Sequence, residues 1–221
     1  MGVITYSLKK DGDKYISPHF RVREFRCKDG SDTILISTEL VEVLEKLREK
    51  LGCSININSG YRTKSHNKAV GGSATSKHLK GMASDIICIR NGKTVPAKEV
   101  CCVAQDLDID GIAYITSSAT HIDVRGHRWW ADETKNNKKV SDFYAYYGIA
   151  YPEPTSTVKK GDKGTPVRWV QNKLNKAGYK LSVDGSFGGT TDKKVRAFQK
   201  DNRLTVDGKV GGNTRKALRN Y

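Results

Sequence analysis

The sequence predicts an α+β N-terminal domain, built as a small antiparallel sheet with flanking helices, and an all-α three-helix C-terminal domain. Three observations predict this. Over the first 150 residues, helical and strand signals alternate without the regular strand–helix–strand rhythm of a parallel sheet. Residues 150–157, AYPEPTST, hold two prolines among small polar residues and read as an extended linker. Beyond it, Asp184-Gly-Ser-Phe-Gly-Gly-Thr-Thr191 recurs 23 residues later as Asp207-Gly-Lys-Val-Gly-Gly-Asn-Thr214. The expected boundaries are therefore a first domain at 1–149, a linker at 150–157 and a second domain at 158–221.

Each element has its own signal. Residues 38–51 carry Leu40, Val43, Leu44, Leu47 and Leu51 at three- and four-residue steps, which predicts an amphipathic helix with Thr38 as N-cap and Gly52 as its stop. Residues 54–59 alternate as a strand does, and residues 84–90 form a short apolar strand between polar loops. Residues 95–107 read as helix. Residues 111–116 and 120–125 read as two strands of a hairpin turned by Ser117-Ser118-Ala119. After the linker, residues 166–177 open with Pro166, which suits a first helical turn. Helices at 191–201 and 214–220 each begin with the threonine of a repeat copy.

The bulk composition narrows the function classes. Hydrophobic residues make up 37% and charged residues 29% of 221, enough for folded cores. No run approaches the ~18 apolar residues of a membrane span, so no membrane insertion is expected. The opening MGVITYSLKKDGDKY lacks the apolar stretch of a secretory signal, and Tyr6 stands where myristoylation calls for Ser or Thr. Synthesis in the cytoplasm without an export tag is the expectation, with a monomer as the expected state. Net charge is +15, of which residues 151–221 carry +10, from sixteen Lys and Arg against six Asp and Glu. Such a surface attracts polyanions, whether nucleic acid or anionic wall polymers. No nucleic-acid module is recognisable, and the basic residues interleave with core positions of the helices, so no nucleic-acid partner is expected. Cys27, Cys53, Cys88, Cys101 and Cys102 are odd in number, form no C-x-x-C pair, and read as buried reduced thiols.

One stretch carries chemistry. Ser59-Gly-Tyr-Arg62 is followed by Ser76-Lys-His78-Leu-Lys-Gly81-Met-Ala-Ser-Asp85 and, 36 residues further on, by His121-Ile-Asp123. Two histidines and a carboxylate make a three-ligand zinc set that leaves a fourth position for water or substrate. Gly81 lets the chain turn between His78 and Asp85. In a strand at 120–125, His121, Asp123 and Arg125 share one face. Two histidines and an aspartate so far apart are no metal signature by themselves; the surrounding pattern is what distinguishes them.

That pattern, with His66-Asn-Lys-Ala-Val-Gly-Gly72 between its parts, resembles the zinc D-alanyl-D-alanine carboxypeptidases. These are wall metallopeptidases whose fold is shared with lysostaphin and hedgehog domains. The resemblance covers roughly residues 15–130. It implies zinc as cofactor, held by His78, Asp85 and His121. It implies that Arg62 binds a substrate carboxylate or steadies the oxyanion, and that Ser76 hydrogen-bonds substrate or shapes the pocket. Many relatives place a general-base Glu or Asp three residues before the last histidine ligand, and here that residue is Ser118. Asp123 is the substitute expected as base, with orientation of a ligand as its other role, and His127 is a further candidate for the base. Residues 158–221 resemble the three-helix peptidoglycan-binding domain often fused to wall hydrolases, through Lys160-Gly-Asp-Lys-Gly164, Val170-Gln171, Phe198-Gln199 and the two repeat copies. Together the resemblances imply a peptidase that cuts amide bonds of peptidoglycan stem peptides. The L-Ala–D-Glu endopeptidase and the D-Ala-D-Ala carboxypeptidase are both open, in a phage or prophage endolysin reaching the wall through a separately made pore. The alternative is an inactive, zinc-containing wall-binding protein.

Overall fold

The first strand signal of the chain is at its start. β1 (Val3–Ser7) leads into one turn of helix α1 (Leu8–Asp11) and a 3-10 turn at Val22–Phe25, and β2 (Thr33–Ser37) returns antiparallel to β1. Next come α2 (Thr38–Leu51), β3 (Ser54–Ser59), α3 (Lys64–Ala69), a 3-10 turn at Lys77–Lys80, β4 (Ala83–Arg90) and β5 (Lys93–Thr94). The unit is completed by α4 (Ala97–Asp106), β6 (Gly111–Tyr114), β7 (Ala119–Asp123), β8 (Trp129–Asp132), a 3-10 turn at Glu133–Lys135, β9 (Lys138–Lys139) and α5 (Phe143–Tyr147). The structure, a computed structural model, describes residues 2–221, and the chain divides into two compact units, Met1–Tyr147 and Gly148–Tyr221.

The α+β class of the first unit is as expected, but its main sheet is larger than the small antiparallel sheet read from the sequence. It has seven strands in the order β3-β4-β7-β6-β8-β9, with β5 pairing on β4. It is also mixed, because β6 and β8 run parallel. The extra strands escaped the sequence for a physical reason. β5 and β9 are two residues long, and β8 is the four-residue Trp-Trp-Ala-Asp, too short to show a period.

Strand alternation gives the sheet two unlike faces. One carries Ile86, Ile112 and Ile122, all fully buried, and is the apolar side that the helices cover, α4 lying against β6, β7 and β4. On the other face, pairing lines up Asp85, His121, Ala113 and Ala131 across β4, β7, β6 and β8. The next row on that face is Ala83, Asp123, Gly111 and Trp129. Burial of the first face against helices leaves the second free for polar work.

The helix ends follow local chemistry. Ser37, not Thr38, caps α2: its backbone is extended and its hydroxyl accepts from Leu40 N at 3.4 Å, while Thr38 is already the first helical residue. Gly52 closes the helix in the left-handed region at φ 58°. The buried stripe is Leu40, Val41, Leu44, Leu47 and Leu51, so Val41 replaces Val43 as a core position. Pro96 shortens the next helix, which starts at Ala97 rather than at residue 95. All five cysteines are buried and free.

The second unit holds the three expected helices, α6 (Thr165–Lys176), α7 (Gly189–Asp201) and α8 (Gly212–Leu218), around Val158, Val167, Val170, Leu174, Phe187, Val195, Phe198, Val210 and Leu218. The sequence repeat is a repeat of hydrogen bonds. Gln171 Nε2 donates to Asp184 Oδ1 at 2.7 Å, Ser186 O at 3.2 Å and Thr191 Oγ1 at 3.2 Å, while its Oε1 accepts from Gly185 N at 2.9 Å. Gln199 makes the same set with Asp207 Oδ1 at 2.8 Å, Lys209 O at 2.9 Å, Thr214 Oγ1 at 3.2 Å and Gly208 N at 2.9 Å. Each buried glutamine ties one Asp-Gly turn to the start of the next helix. Replacing Gln199 by leucine strands these partners and is expected to cost about 1–3 kcal/mol. Guanidinium unfolding should show that loss, with faster amide exchange in α7 and the 204–210 loop and none in α2.

Candidate metal centre

Three chain segments bring the donors together. β4 and β7 are antiparallel neighbours in a register that sets Asp85 directly opposite His121. His78 arrives from the 3-10 turn Lys77–Lys80, which ends at Gly81 in the left-handed region at φ 65°. A Cβ on Gly81 would lie 2.2 Å from Leu35 O, so the turn needs glycine twice over, for its conformation and for its close approach to β2. The result is that His121 Nδ1 lies 2.9 Å from Asp85 Oδ1, and His78 Nε2 lies 3.3 Å from both of these atoms. All three residues are buried.

The outer partners decide what those atoms offer. His78 Nδ1 is 2.7 Å from Gly60 O, a pure acceptor, so Nδ1 carries the hydrogen and Nε2 presents a lone pair. His121 Nε2 is 2.9 Å from Asp123 Oδ2, so it donates there and its Nδ1 faces inward as a lone pair. Asp85 adds an anionic oxygen; burial disfavours its charge, but His121 and His78 beside it hold its carboxyl well below the usual range. Three acceptors thus converge, and among the described residues no donor lies between them. Only a positive charge reconciles them. Burial pulls the pKa of His121 down, but Asp123 and Asp85 on either side raise it to about 9, an equivalent demand for a cation expressed as a proton. Two nitrogens and one oxygen with an open side suit zinc.

The remaining residues near the centre fall into two groups. Arg62 donates from Nη2 to Asp85 Oδ2 at 2.5 Å and from Nε to Ser59 Oγ at 2.9 Å, leaving Asp85 Oδ1 for the centre. Ser76, half-buried, stands just before the 3-10 turn that carries His78 and makes no side-chain capping bond to it. Both line the same cleft of about 580 Å³ as His78, Asp85 and His121. Asp123 does not line it. That carboxylate is fully buried behind His121, bonded by Arg125 Nε at 2.8 Å and 2.9 Å and by Arg125 Nη2. Burial raises the Asp123 pKa, but Arg125 and His121 bring it down to about 2. Of its two expected roles, orientation of a ligand is the one this placement allows; a base must face the substrate. His127 is exposed on the turn between β7 and β8 and also lies off the cleft. Ser118 sits in the β6–β7 turn, 3.3 Å from Thr116 Oγ1.

Gly111 is part of the same device. It pairs with Asp123, and a Cβ there would come within 2.1 Å of the Asp123 carboxyl carbon. The His66–Gly72 motif is architectural: buried Asn67 donates to Gly72 O at 3.1 Å and Ser73 O at 2.9 Å, pinning the loop that walls the cleft. Sequence reasoning missed Arg125, Trp129 and Glu133 as cleft residues. Trp129 lies edge-on to His121 at 6.0 Å and Arg125 stacks over it at 4.1 Å. Arg125 had a signal in the alternation that puts it on the face of His121, whereas Trp129 and Glu133 depend on the position of β8 beside β6, which no local pattern announces. A larger groove of about 1020 Å³, lined by Ile4, His19, Val41 and Glu45 among others, contains none of the donors. His19 there is paired with Glu45 at 2.7 Å. Donor chemistry, not size, marks the site.

Fold and site together define an α+β domain with a candidate metal centre, followed by a small three-helix domain. Residues 18–123 match the family described as Peptidase M15, and residues 163–218 match the one described as "Putative peptidoglycan binding domain". Each of the two units thus holds a match to one of these families, the first to Peptidase M15 and the second to the peptidoglycan-binding domain. Among solved structures it is similar to a peptidoglycan-binding protein from Clostridioides difficile in complex with glutamine hydroxamate (38% identity, 29% of this chain and 40% of that one, TM-score 0.29). It is also similar to a Burkholderia AP3 phage endolysin (36%, covering 29% and 25%, TM-score 0.29). A third is a fused Zn-dependent amidase/peptidase/peptidoglycan-binding protein from Clostridium acetobutylicum (40%, covering 28% and 28%, TM-score 0.28). The chain thus spans less than half the length of each, and the likeness in family rests on the two domain matches. No curated protein matches the chain.

Apo protein is expected to take up one Zn²⁺ per chain, and His78→Ala and Asp85→Asn to lose it, as read by metal analysis after dialysis. Arg125→Ala keeps all three ligands but frees Asp123. It is expected to weaken zinc about 10–100-fold in competition with a chromogenic chelator.

Proposed function

We propose that this protein is a zinc-dependent peptidase that hydrolyses an amide bond in the stem peptides of bacterial peptidoglycan. The observation that carries the proposal is the convergence of the His78, Asp85 and His121 lone pairs in an open cleft, each oriented from behind. Zinc bound there supplies an activated water and polarises the scissile carbonyl. Arg62 fixes Asp85 and presents the rest of its guanidinium to the cleft, where a substrate carboxylate or a developing oxyanion is the natural partner. Ser76 offers a hydroxyl to the peptide backbone from the cleft wall.

The C-terminal domain supports the same reading. A wall-binding module on the same chain raises the local concentration of the peptidase at its substrate. The net +10 of residues 151–221 adds attraction to anionic wall polymers, which salt weakens. For a lytic, endolysin-type role the L-Ala–D-Glu bond is the expected target, because removing a terminal D-Ala leaves the wall mesh intact. A second reading, a zinc-containing wall-binding protein without activity, is favoured by Ser118 standing where relatives carry the base.

Digestion of purified Gram-positive peptidoglycan, followed by mass spectrometry, separates these. Wild type is expected to release stem fragments ending in an L-Ala carboxyl, and free D-Ala instead would assign the carboxypeptidase specificity. His78→Ala and chelator-treated protein should release neither. A folded, zinc-loaded wild type that cuts nothing would leave the wall-binding reading.

A further inference from the structure

A hydrolase needs a group to take a proton from the attacking water, and Ser118 cannot do so at neutral pH. We propose that Glu133 is the general base of this site, supplied from the turn that follows β8 rather than from the segment before His121. This rests on the peptidase reading above.

The sheet explains how a residue twelve positions beyond His121 reaches the centre. His121 pairs with Ala113, and Ala113 pairs with Ala131, so the three share a row and a face. Alternation along β8 puts Trp129 on that face as well, and Glu133 follows two residues after Ala131. β8 lies two strand spacings, about 10 Å, from β7. Ala113 and Ala131 are the smallest side chains available to the row and raise no barrier between Glu133 and His121. The backbone at this point is fixed: Asp132 accepts from Thr134 N at 3.0 Å and from Tyr146 Oη at 3.0 Å, so the turn starting at Glu133 is capped and tied to α5.

Elimination agrees with placement. Two carboxylates line the cleft among the described residues, Asp85 and Glu133. Asp85 is committed to the donor set and to Arg62. Asp123 is saturated behind His121, and His127 is outside. Among the described residues Glu133 has no hydrogen-bond or ion-pair partner, and it is exposed to solvent, as a group that exchanges protons with water must be. Although Glu133 reaches solvent, protein crowds its carboxyl, and that burial raises its pKa. His121 lowers it, Asp85 raises it, and His78 and Arg62 lower it, with the rise prevailing. A base tuned upward lies nearer a neutral working pH.

The step balances simply. As the water oxygen bonds to the amide carbon, Glu133 takes one of the water's protons. As the C–N bond breaks, Glu133 returns that proton to the leaving nitrogen. The products are a carboxylic acid and an amine, and the glutamate is regenerated.

The test compares wild type with Glu133→Gln and Glu133→Asp in the full chain. Glu133→Gln is expected to lower kcat about 10²–10⁴-fold with KM and zinc content unchanged, and Glu133→Asp to recover part of the loss. A second readout needs no turnover: the visible absorption of protein loaded with Co²⁺ is titrated against pH. Loss of a carboxylate beside the donor set is expected to move the midpoint by about one pH unit, whereas a glutamate with only a structural role would not move it. Glu133→Gln within threefold of wild-type kcat, in an active wild type, overturns the assignment and leaves the peptidase reading intact. A wild type that cuts nothing removes the peptidase reading, and an unmoved cobalt midpoint then overturns Glu133 as well.

Discussion

The first unit depends on one pairing. β4 and β7 run antiparallel in a register that places Asp85 across from His121, and a slip of one residue would turn both side chains to the opposite face. The register is held by what lies on that opposite face. Ile86, Ile112 and Ile122 are fully buried and would be driven into the cleft by the same slip. Burial of apolar surface therefore enforces the geometry of the polar site. The two faces are one constraint seen from two sides.

The site itself is an arrangement that the fold alone cannot satisfy. Buried acceptors that face each other are costly, and this cost is met by anchoring each from behind and leaving the centre to a cation. Gly60 O sets the tautomer of His78, Asp123 sets that of His121, and Arg62 takes the second oxygen of Asp85. Arg125 neutralises Asp123 in turn, and Gly111 makes room for it. Rigidity of this outer layer is what makes a three-residue donor set a preorganised site rather than a loose cluster.

The C-terminal unit solves a different problem. A domain this small has little apolar surface to bury. It compensates by using the same turn twice, each built on a buried glutamine whose amide meets an aspartate, a backbone carbonyl and a threonine hydroxyl, while its carbonyl receives a glycine N–H.

Much of this was written in local sequence. The amphipathic stripe of α2, the alternation of β3 and the Asp-Gly repeat each act over a few residues, so period and turn chemistry revealed them. His78, Asp85 and His121 stood out through the spacing of their motif, and the structure brings their ligand atoms within 4.8 Å of one another. What the sequence could not show was anything decided by strand order. β5, β8 and β9 are too short for a period, and the parallel placement of β8 beside β6 depends on which edge of the sheet is open after β7 has paired. That placement alone brings Trp129 and Glu133 to the cleft and leaves His127 outside. Asp123 shared the face of His121 from sequence alternation alone, but whether it looked into the cleft or backed its neighbour was set by Arg125 and Gly111. Those contacts form only when the strands close, because hydrogen-bond partners and open space are properties of the packed sheet and not of any one strand.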